Sequence, residues 1–156
     1  MDKVFKFIID ERKAFINLID ELTLDQLNEI PEGFNNNIIW NFGHIVVSTQ
    51  TLSYTRTGIR EGINWVKYVE AYAKGTKPTY YVNQQEIDDL KEIALHSIFA
   101  IEADYNAGVF NHITAYQTAT YGATLNSIEE VLITSIGHDN LHLGYASAQK
   151  RIINNK

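Results

Sequence analysis

Apolar side chains recur at intervals of three and four residues along four long segments of this chain. That spacing places them on one face of an α-helix, whereas a half-buried strand would alternate apolar and polar residues. The pattern predicts four helices of about 20 residues each, over residues 2–22, 38–57, 84–107 and 126–153. Both prolines, Pro31 and Pro78, fall between these segments, as expected for a helical protein.

The connection between the second and third predicted helices, residues 59–83, is long for a compact domain. It contains one short amphipathic stretch at 65–73, and a later stretch at 108–125 is irregular and predicted to be partly extended. Connections of this length usually form a crossover or a functional loop. We therefore predict an all-α fold, a four-helix bundle with a long crossover between helices 2 and 3, as a single domain over residues 1–156.

The chain contains no cysteine, which excludes a disulfide, a thiolate metal site and a cysteine nucleophile. Any metal chemistry must therefore use His, Asp or Glu.

The 19 acidic and 13 basic side chains give a net charge of −6, which argues against binding to nucleic acid because that partner requires clustered Lys and Arg. No apolar run approaches the roughly 20 residues of a membrane span, and the N-terminus lacks a signal-peptide pattern. We expect a cytoplasmic protein with no nucleic-acid partner and no membrane partner.

Three of the five histidines are candidates for metal binding. His138 and His142 are four residues apart in the last predicted helix, so both imidazoles can reach one ion, although such a pair also occurs as two surface histidines. His44 lies in very apolar sequence, where a buried imidazole needs either a hydrogen-bond partner or a metal. Gly43 and Gly137 precede His44 and His138 inside helices, where glycine costs about 1 kcal/mol relative to alanine. One explanation is a close approach of helices around a shared site.

Several segments point to a known family. They are Trp40-Asn41-Phe42-Gly43-His44, the loop Gly75-Thr76-Lys77-Pro78, and His138-Asp139-Asn140-Leu141-His142-Leu143-Gly144 followed by Gln149-Lys150-Arg151. In this order and spacing they resemble the DinB-like superfamily (DinB/YfiT-like) of small metal-binding four-helix bundles. The resemblance implies a divalent metal ion held by three histidines, at the positions of His44, His138 and His142, and it implies a homodimer. Many relatives have glutamine where this chain has Tyr145.

Three neutral imidazoles would leave a divalent ion with an open coordination position, which is typical of catalytic sites. Zinc or nickel is the expected cofactor, with iron or manganese as alternatives. The resemblance implies a metal-dependent enzyme with a small-molecule substrate. If the metal activates a low-molecular-weight thiol, such as bacillithiol or mycothiol, the enzyme is a thiol transferase. If the metal activates water, the enzyme is a hydrolase. The alternative is a non-enzymatic stress-response or dimerisation module with a vestigial or structural metal site.

Asp139 lies between the paired histidines, and two roles are open for it. The segment 138–142 could be a shortened form of the H-E-x-x-H helix of metalloproteases, with Asp139 as the general base. Aspartate is one methylene shorter than glutamate, which puts its reach to a metal-bound water in question. We favour an Asp139 that faces solvent or orients a histidine ring.

The remaining candidates concern the surroundings of the metal. Trp40 lies one turn before His44, and Tyr145 lies near His142, so these two aromatic residues are expected to wall an apolar substrate pocket. His96 and His112 are expected to lie on the surface or in a loop.

Overall fold

The structure, a computed structural model, describes residues 1–155 and is mostly helical, with a two-stranded sheet. Four helices are long, and they match the four segments predicted from apolar spacing. Short helices and strands lie in the connections between them. In chain order the elements are α1 (Asp2–Asp20), α2 (Leu24–Asn28), α3 (Ile38–Gln50), α4 (Val69–Tyr72), α5 (Gln84–Asn106), β1 (Tyr116–Gln117), β2 (Thr124–Leu125) and α6 (Ile128–Asn154).

Capping side chains define where α3 and α6 begin. Asn37 precedes α3, and its side-chain oxygen accepts a hydrogen bond from the Trp40 N–H over 2.9 Å. Ser127 precedes α6, and its hydroxyl accepts from the Glu130 N–H over 3.3 Å. Each cap satisfies one of the N–H groups that the first turn of a helix leaves unpaired.

The helical backbone continues beyond α3 in a wider π turn, Thr51–Thr55. There the Arg56 N–H donates to the Thr51 carbonyl oxygen over 2.9 Å, a bond that spans five residues instead of four. The second predicted helix, 38–57, therefore corresponds to α3 and this turn together. Apolar spacing did not distinguish the π turn from an ordinary α-helical turn.

The long helices pack through their apolar faces, and α1 and α3 each contact both α5 and α6. Ile8 and Phe15 of α1, Ile45 of α3 and Leu90 of α5 are fully buried in these contacts. Removal of such side chains from water is the dominant favourable contribution to folding. Within residues 1–155, no helix has the length and apolar character needed to cross a bilayer.

The two irregular connections lie against the helices that carry the candidate histidines. In the connection from 56 to 83, α4 packs on α3, and only Val69–Tyr72 of the predicted amphipathic stretch is helical. In the second connection, β2 packs on α6 and pairs antiparallel with β1, Tyr116 opposite Leu125. The partly extended character predicted for residues 108–125 is thus confirmed.

Gly43 and Gly137 both mark close approaches, and one of the two is between helices. A Cβ atom on Gly43 would lie 2.5 Å from Cδ1 of Tyr72, which belongs to α4. A Cβ atom on Gly137 would lie 3.1 Å from the hydroxyl of Tyr121, in the turn between β1 and β2. The interpretation of a close helix approach is therefore confirmed at Gly43, where α4 lies against α3 beside His44. It is wrong at Gly137, where the neighbour is a side chain of the turn between β1 and β2.

Candidate metal centre

Three histidines meet between α3 and α6. His44 projects from the middle of α3, and His138 and His142 lie one turn apart on α6. Ring centroids are 4.7 Å apart for His44 and His142, 4.7 Å apart for His138 and His142, and 5.2 Å apart for His44 and His138. One ring nitrogen from each residue lies within 4.8 Å of those of the other two. This spacing is compatible with a single metal ion bound by all three.

The Nδ1 atom of each ring faces a hydrogen-bond acceptor of the protein. His44 Nδ1 lies 2.7 Å from the carbonyl oxygen of Tyr72. His142 Nδ1 lies 2.8 Å from Asn41 Oδ1, and His138 Nδ1 lies 3.5 Å from Asp139 Oδ1. Because a carbonyl oxygen and a carboxylate only accept, Nδ1 carries the proton in each neutral ring and Nε2 keeps its lone pair. The three Nε2 atoms are therefore the ones that could bind a metal ion.

A chain of buried amides fixes the orientation of Asn41. Its Nδ2 donates to the Asn37 carbonyl oxygen over 2.9 Å and to Gln149 Oε1 over 3.1 Å. Gln149 Nε2 in turn donates to the Asn36 carbonyl oxygen over 2.9 Å. Because the backbone carbonyls can only accept, both amides have one possible orientation, with Asn41 Oδ1 toward His142. Partners of this kind hold a histidine ligand in one tautomer and ring position.

Burial also keeps the imidazoles of His44 and His142 neutral. Loss of solvation lowers the pKa of His44 to about 4. Burial, together with the nearby His44 and His138, lowers the pKa of His142 to about 3. Both rings are thus unprotonated near neutral pH, which is the form that binds a metal ion.

A family comparison agrees with this geometry. The family model described as the DinB superfamily matches residues 8–146. The chain belongs to the DinB superfamily. No curated protein matches it. The matched range includes all three histidines, and the resemblance inferred from segments 40–44 and 138–144 is confirmed.

In this DinB superfamily chain, Asp139 is completely buried and forms an ion pair with Arg12, Nη2 to Oδ2, over 2.6 Å. Arg12 is also buried, and its Nη2 donates to Thr49 Oγ1 over 2.7 Å and to the Ile45 carbonyl oxygen over 3.2 Å. The expectation of a solvent-facing Asp139 is wrong. An aspartate engaged by arginine on one oxygen and facing His138 on the other is poorly placed to act as the general base of a metalloprotease-like site. The alternative role, orienting His138, stays a prediction.

The sequence reasoning missed Arg12 and its neighbour Glu11. Both lie on the buried side of α1, where Arg12 continues the apolar series of Ile8 and Phe15 at intervals of four and three residues. A charged residue in an apolar series was the signal that could have revealed the pair. Glu11 is buried without a hydrogen-bond partner among the described residues. Burial, followed by the charge of Asp139, raises its pKa to about 8.

A cavity of about 310 Å³ opens beside the centre, with His44 and His138 in its wall. Its other walls come from α3, the π turn, α4 and the hairpin of β1 and β2. Trp40 is buried and stacks on the His44 ring with centroids 4.8 Å apart, but it does not line the cavity. Tyr145 is 47% exposed, with its ring 6.2 Å from that of His142, and it lies outside the cavity too. A substrate-binding role for Trp40 and Tyr145 stays a prediction.

The other two histidines lie away from the centre. His96 is exposed on α5, with its Nδ1 atom 3.4 Å from Glu92 Oε1. His112 is exposed in the connection between α5 and β1. Both were predicted to lie on the surface or in a loop.

Proposed function

We propose that the protein binds one divalent metal ion through the Nε2 atoms of His44, His138 and His142 and is an enzyme that acts on a small molecule in the adjacent cavity. The observation that carries the proposal is the convergence of three imidazoles whose Nδ1 atoms all face acceptors of the protein. We further propose that α1, α3, α5 and α6 form the four-helix bundle predicted from the sequence, with residues 56–83 as its crossover.

The residues present fit a divalent ion. Three nitrogen donors with no carboxylate among them favour zinc or nickel, and iron or manganese are further candidates. Bound by three neutral imidazoles, such an ion would keep a position open for substrate and would lower the pKa of a coordinated water or thiol. Neutral ligands leave the charge of the ion uncompensated, which strengthens this effect.

The chain's own residues orient the ligands and shape the site. The Tyr72 carbonyl and the Asn41 amide hold His44 and His142 so that Nε2 of each faces the centre. Ser48 places its hydroxyl 3.4 Å from His44 Nε2, at the cavity wall. The walls of the cavity are mostly apolar, which is typical of small-molecule sites.

The reaction that we propose is transfer of a low-molecular-weight thiol to an electrophile, or hydrolysis. The chain has no cysteine, so a thiol in this reaction must come from the substrate. The test is turnover by the zinc- or nickel-loaded protein with a panel of thiols, including bacillithiol and mycothiol, and an electrophilic reporter, beside a panel of activated esters. We expect turnover in one panel and its loss in His142→Ala. No turnover in either panel would support the non-enzymatic alternative.

We also propose that the protein forms a homodimer and has no nucleic-acid or membrane partner. Four large apolar side chains of α6 are exposed: Ile133, Leu141, Tyr145 and Ile152, at 59%, 42%, 47% and 37%. Apolar side chains exposed along one helix often mark a protein interface. Light scattering coupled to size-exclusion chromatography should give twice the chain mass, and Leu141→Glu should shift it toward the monomer. A monomeric wild type would contradict this assembly.

A further inference from the structure

The cavity beside the histidines extends along one helical face toward a cation. His44, Ser48, Thr51, Thr55 and Arg56 all contribute to its wall. Arg56 follows His44 by 12 residues, which corresponds to about 18 Å along a helix axis at the usual rise per residue. The cavity therefore has two chemically different ends, one at the histidines and one at Arg56.

The π turn explains why both ends belong to one cavity. In a regular α-helix, 12 residues would place Arg56 about 120° around the axis from His44. Residues of the wider π turn, Thr51–Thr55, rotate less around the axis, so this turn returns Arg56 toward the face of His44. Such turns occur frequently at functional sites in proteins.

The charge of the cavity wall is opposite to that of the protein. The chain has a net charge of −6, yet Arg56 and Lys74 contribute to the wall and no Asp or Glu does. Among the described residues, neither cation forms an ion pair. Lys74 follows Tyr72 by two residues, and the Tyr72 carbonyl oxygen lies 2.7 Å from His44 Nδ1, so Lys74 belongs to the histidine end.

Arg56 is held in place by other residues of the same wall. Its guanidinium lies 5.0 Å from the ring centroid of Tyr116, and its Nη2 donates to the Gln117 carbonyl oxygen over 3.4 Å. These contacts use one face and one donor, so other N–H groups remain for a ligand. A guanidinium with free N–H groups is suited to two-point recognition of a carboxylate.

We propose that the substrate is a small organic acid with an apolar body, whose carboxylate binds at Arg56 while its reacting group lies at the histidine end. The proposal rests on the proposed function because it assigns the substrate class of the same site. Apolar residues between the two ends, including Val47, Leu52 and Val69, would contact the body of the substrate. Lys74 would add a positive potential that favours anionic ligands.

The test compares 4-phenylbutyrate with its uncharged analogue 4-phenylbutanamide by isothermal titration calorimetry. Each is titrated into the metal-free and the zinc-loaded protein, as wild type, Arg56→Gln and Arg56→Lys. Arg60→Gln is the matched control, because Arg60 stacks on Trp65 and lies outside the cavity. Arg56 is exposed, so its substitution should leave folding intact, which circular dichroism checks.

We expect the carboxylate to bind about tenfold tighter than the amide in the wild type and in Arg60→Gln, with or without zinc. In Arg56→Gln this ratio should fall to near one, and Arg56→Lys should retain part of it. An equal affinity of wild type for both compounds would overturn the proposal. A preference for the carboxylate that persists in Arg56→Gln would also overturn the proposal. A preference seen only with zinc would overturn it too, since the metal would then bind the carboxylate. Binding to the metal-free protein does not depend on the metal or on turnover. A failure of the carboxylate proposal can therefore be distinguished from a failure of the proposed metal-dependent function.

Discussion

Replacement of Gly43 by alanine should destabilise the protein, although alanine is the better helix former. The added Cβ would lie 2.5 Å from Cδ1 and 2.6 Å from Cε1 of the Tyr72 ring. That ring is 2% exposed, and its hydroxyl donates to Glu86 Oε1 over 2.5 Å, so it cannot move away freely. Overpacking of a core costs about 1–3 kcal/mol, against a gain of about 1 kcal/mol in helix propensity. The balance is a loss of about 0–2 kcal/mol, and we expect the free energy of unfolding to fall by about 1 kcal/mol.

Gly137 provides a matched control on α6. Its added Cβ would lie 3.1 Å from the Tyr121 hydroxyl, the far end of a side chain that is 51% exposed and can rotate away. The propensity gain should then prevail, so Gly137→Ala should be about 1 kcal/mol more stable than wild type. The two variants should differ by about 2 kcal/mol, or roughly 4–8 °C in melting temperature for a chain of this size.

The assay is urea and thermal unfolding of the metal-free protein, followed by far-ultraviolet circular dichroism. A second measurement is the zinc affinity of Gly43→Ala. It should fall because the displaced Tyr72 supplies the carbonyl that accepts from His44 Nδ1. If both alanine variants change stability in the same direction and by the same amount, the reasoning from these contacts is refuted.

Three further predictions concern the buried polar residues around the centre. The pKa of Glu11 is raised from 4.5 to about 8 in the folded chain, so stability present below the unfolded pKa is lost as the pH rises through the folded one. Relative to wild type, Glu11→Gln should gain about 4 kcal/mol near pH 8 and little near pH 4, by urea unfolding at each pH. Arg12→Met leaves the carboxylate of Asp139 buried without its partner and should cost about 3–5 kcal/mol, whereas Arg12→Met with Asp139→Leu should recover much of the loss in the same assay. Asn41→Leu removes the acceptor for His142 Nδ1 and should weaken zinc binding about 10- to 100-fold by calorimetry.

Each of these has a control or a contradicting result. Glu32→Gln removes an exposed carboxylate and should not reproduce the pH dependence of Glu11→Gln. If the double variant Arg12→Met, Asp139→Leu is as unstable as Arg12→Met alone, the ion-pair argument is contradicted. Asn140→Ala changes an exposed amide on α6 and should leave zinc affinity unchanged, in contrast to Asn41→Leu.

The sequence predicted the long helices well because their apolar residues follow a strong and continuous period. In α1, for example, Ile8, Phe15 and Ile19 carry the pattern and are all buried. The i, i+4 pair on α6 could also be placed on one face from spacing alone. The convergence of His44 with that pair is a tertiary contact, which spacing does not encode, and the family resemblance supplied it.

The walls of the cavity could not be predicted in the same way. Strands of two residues, Tyr116–Gln117 and Thr124–Leu125, are too short to show an alternating pattern. The π turn has the same apolar spacing as an α-helical continuation, so Arg56 could not be assigned to the face of His44. The ion pair of Arg12 with Asp139 joins residues 127 positions apart in the chain, and only the interruption of an apolar series hinted at it.

The central claim is that His44, His138 and His142 bind one divalent ion, and zinc titration of tag-free, metal-free protein tests it most directly. Calorimetry should give about one zinc per chain for wild type. His96→Ala and His112→Ala should match it, because both side chains are exposed and distant from the centre. His44→Ala, His138→Ala and His142→Ala should each lose this binding. A wild type that takes up no zinc or nickel, or three alanine variants that keep the wild-type stoichiometry and affinity, would contradict the account.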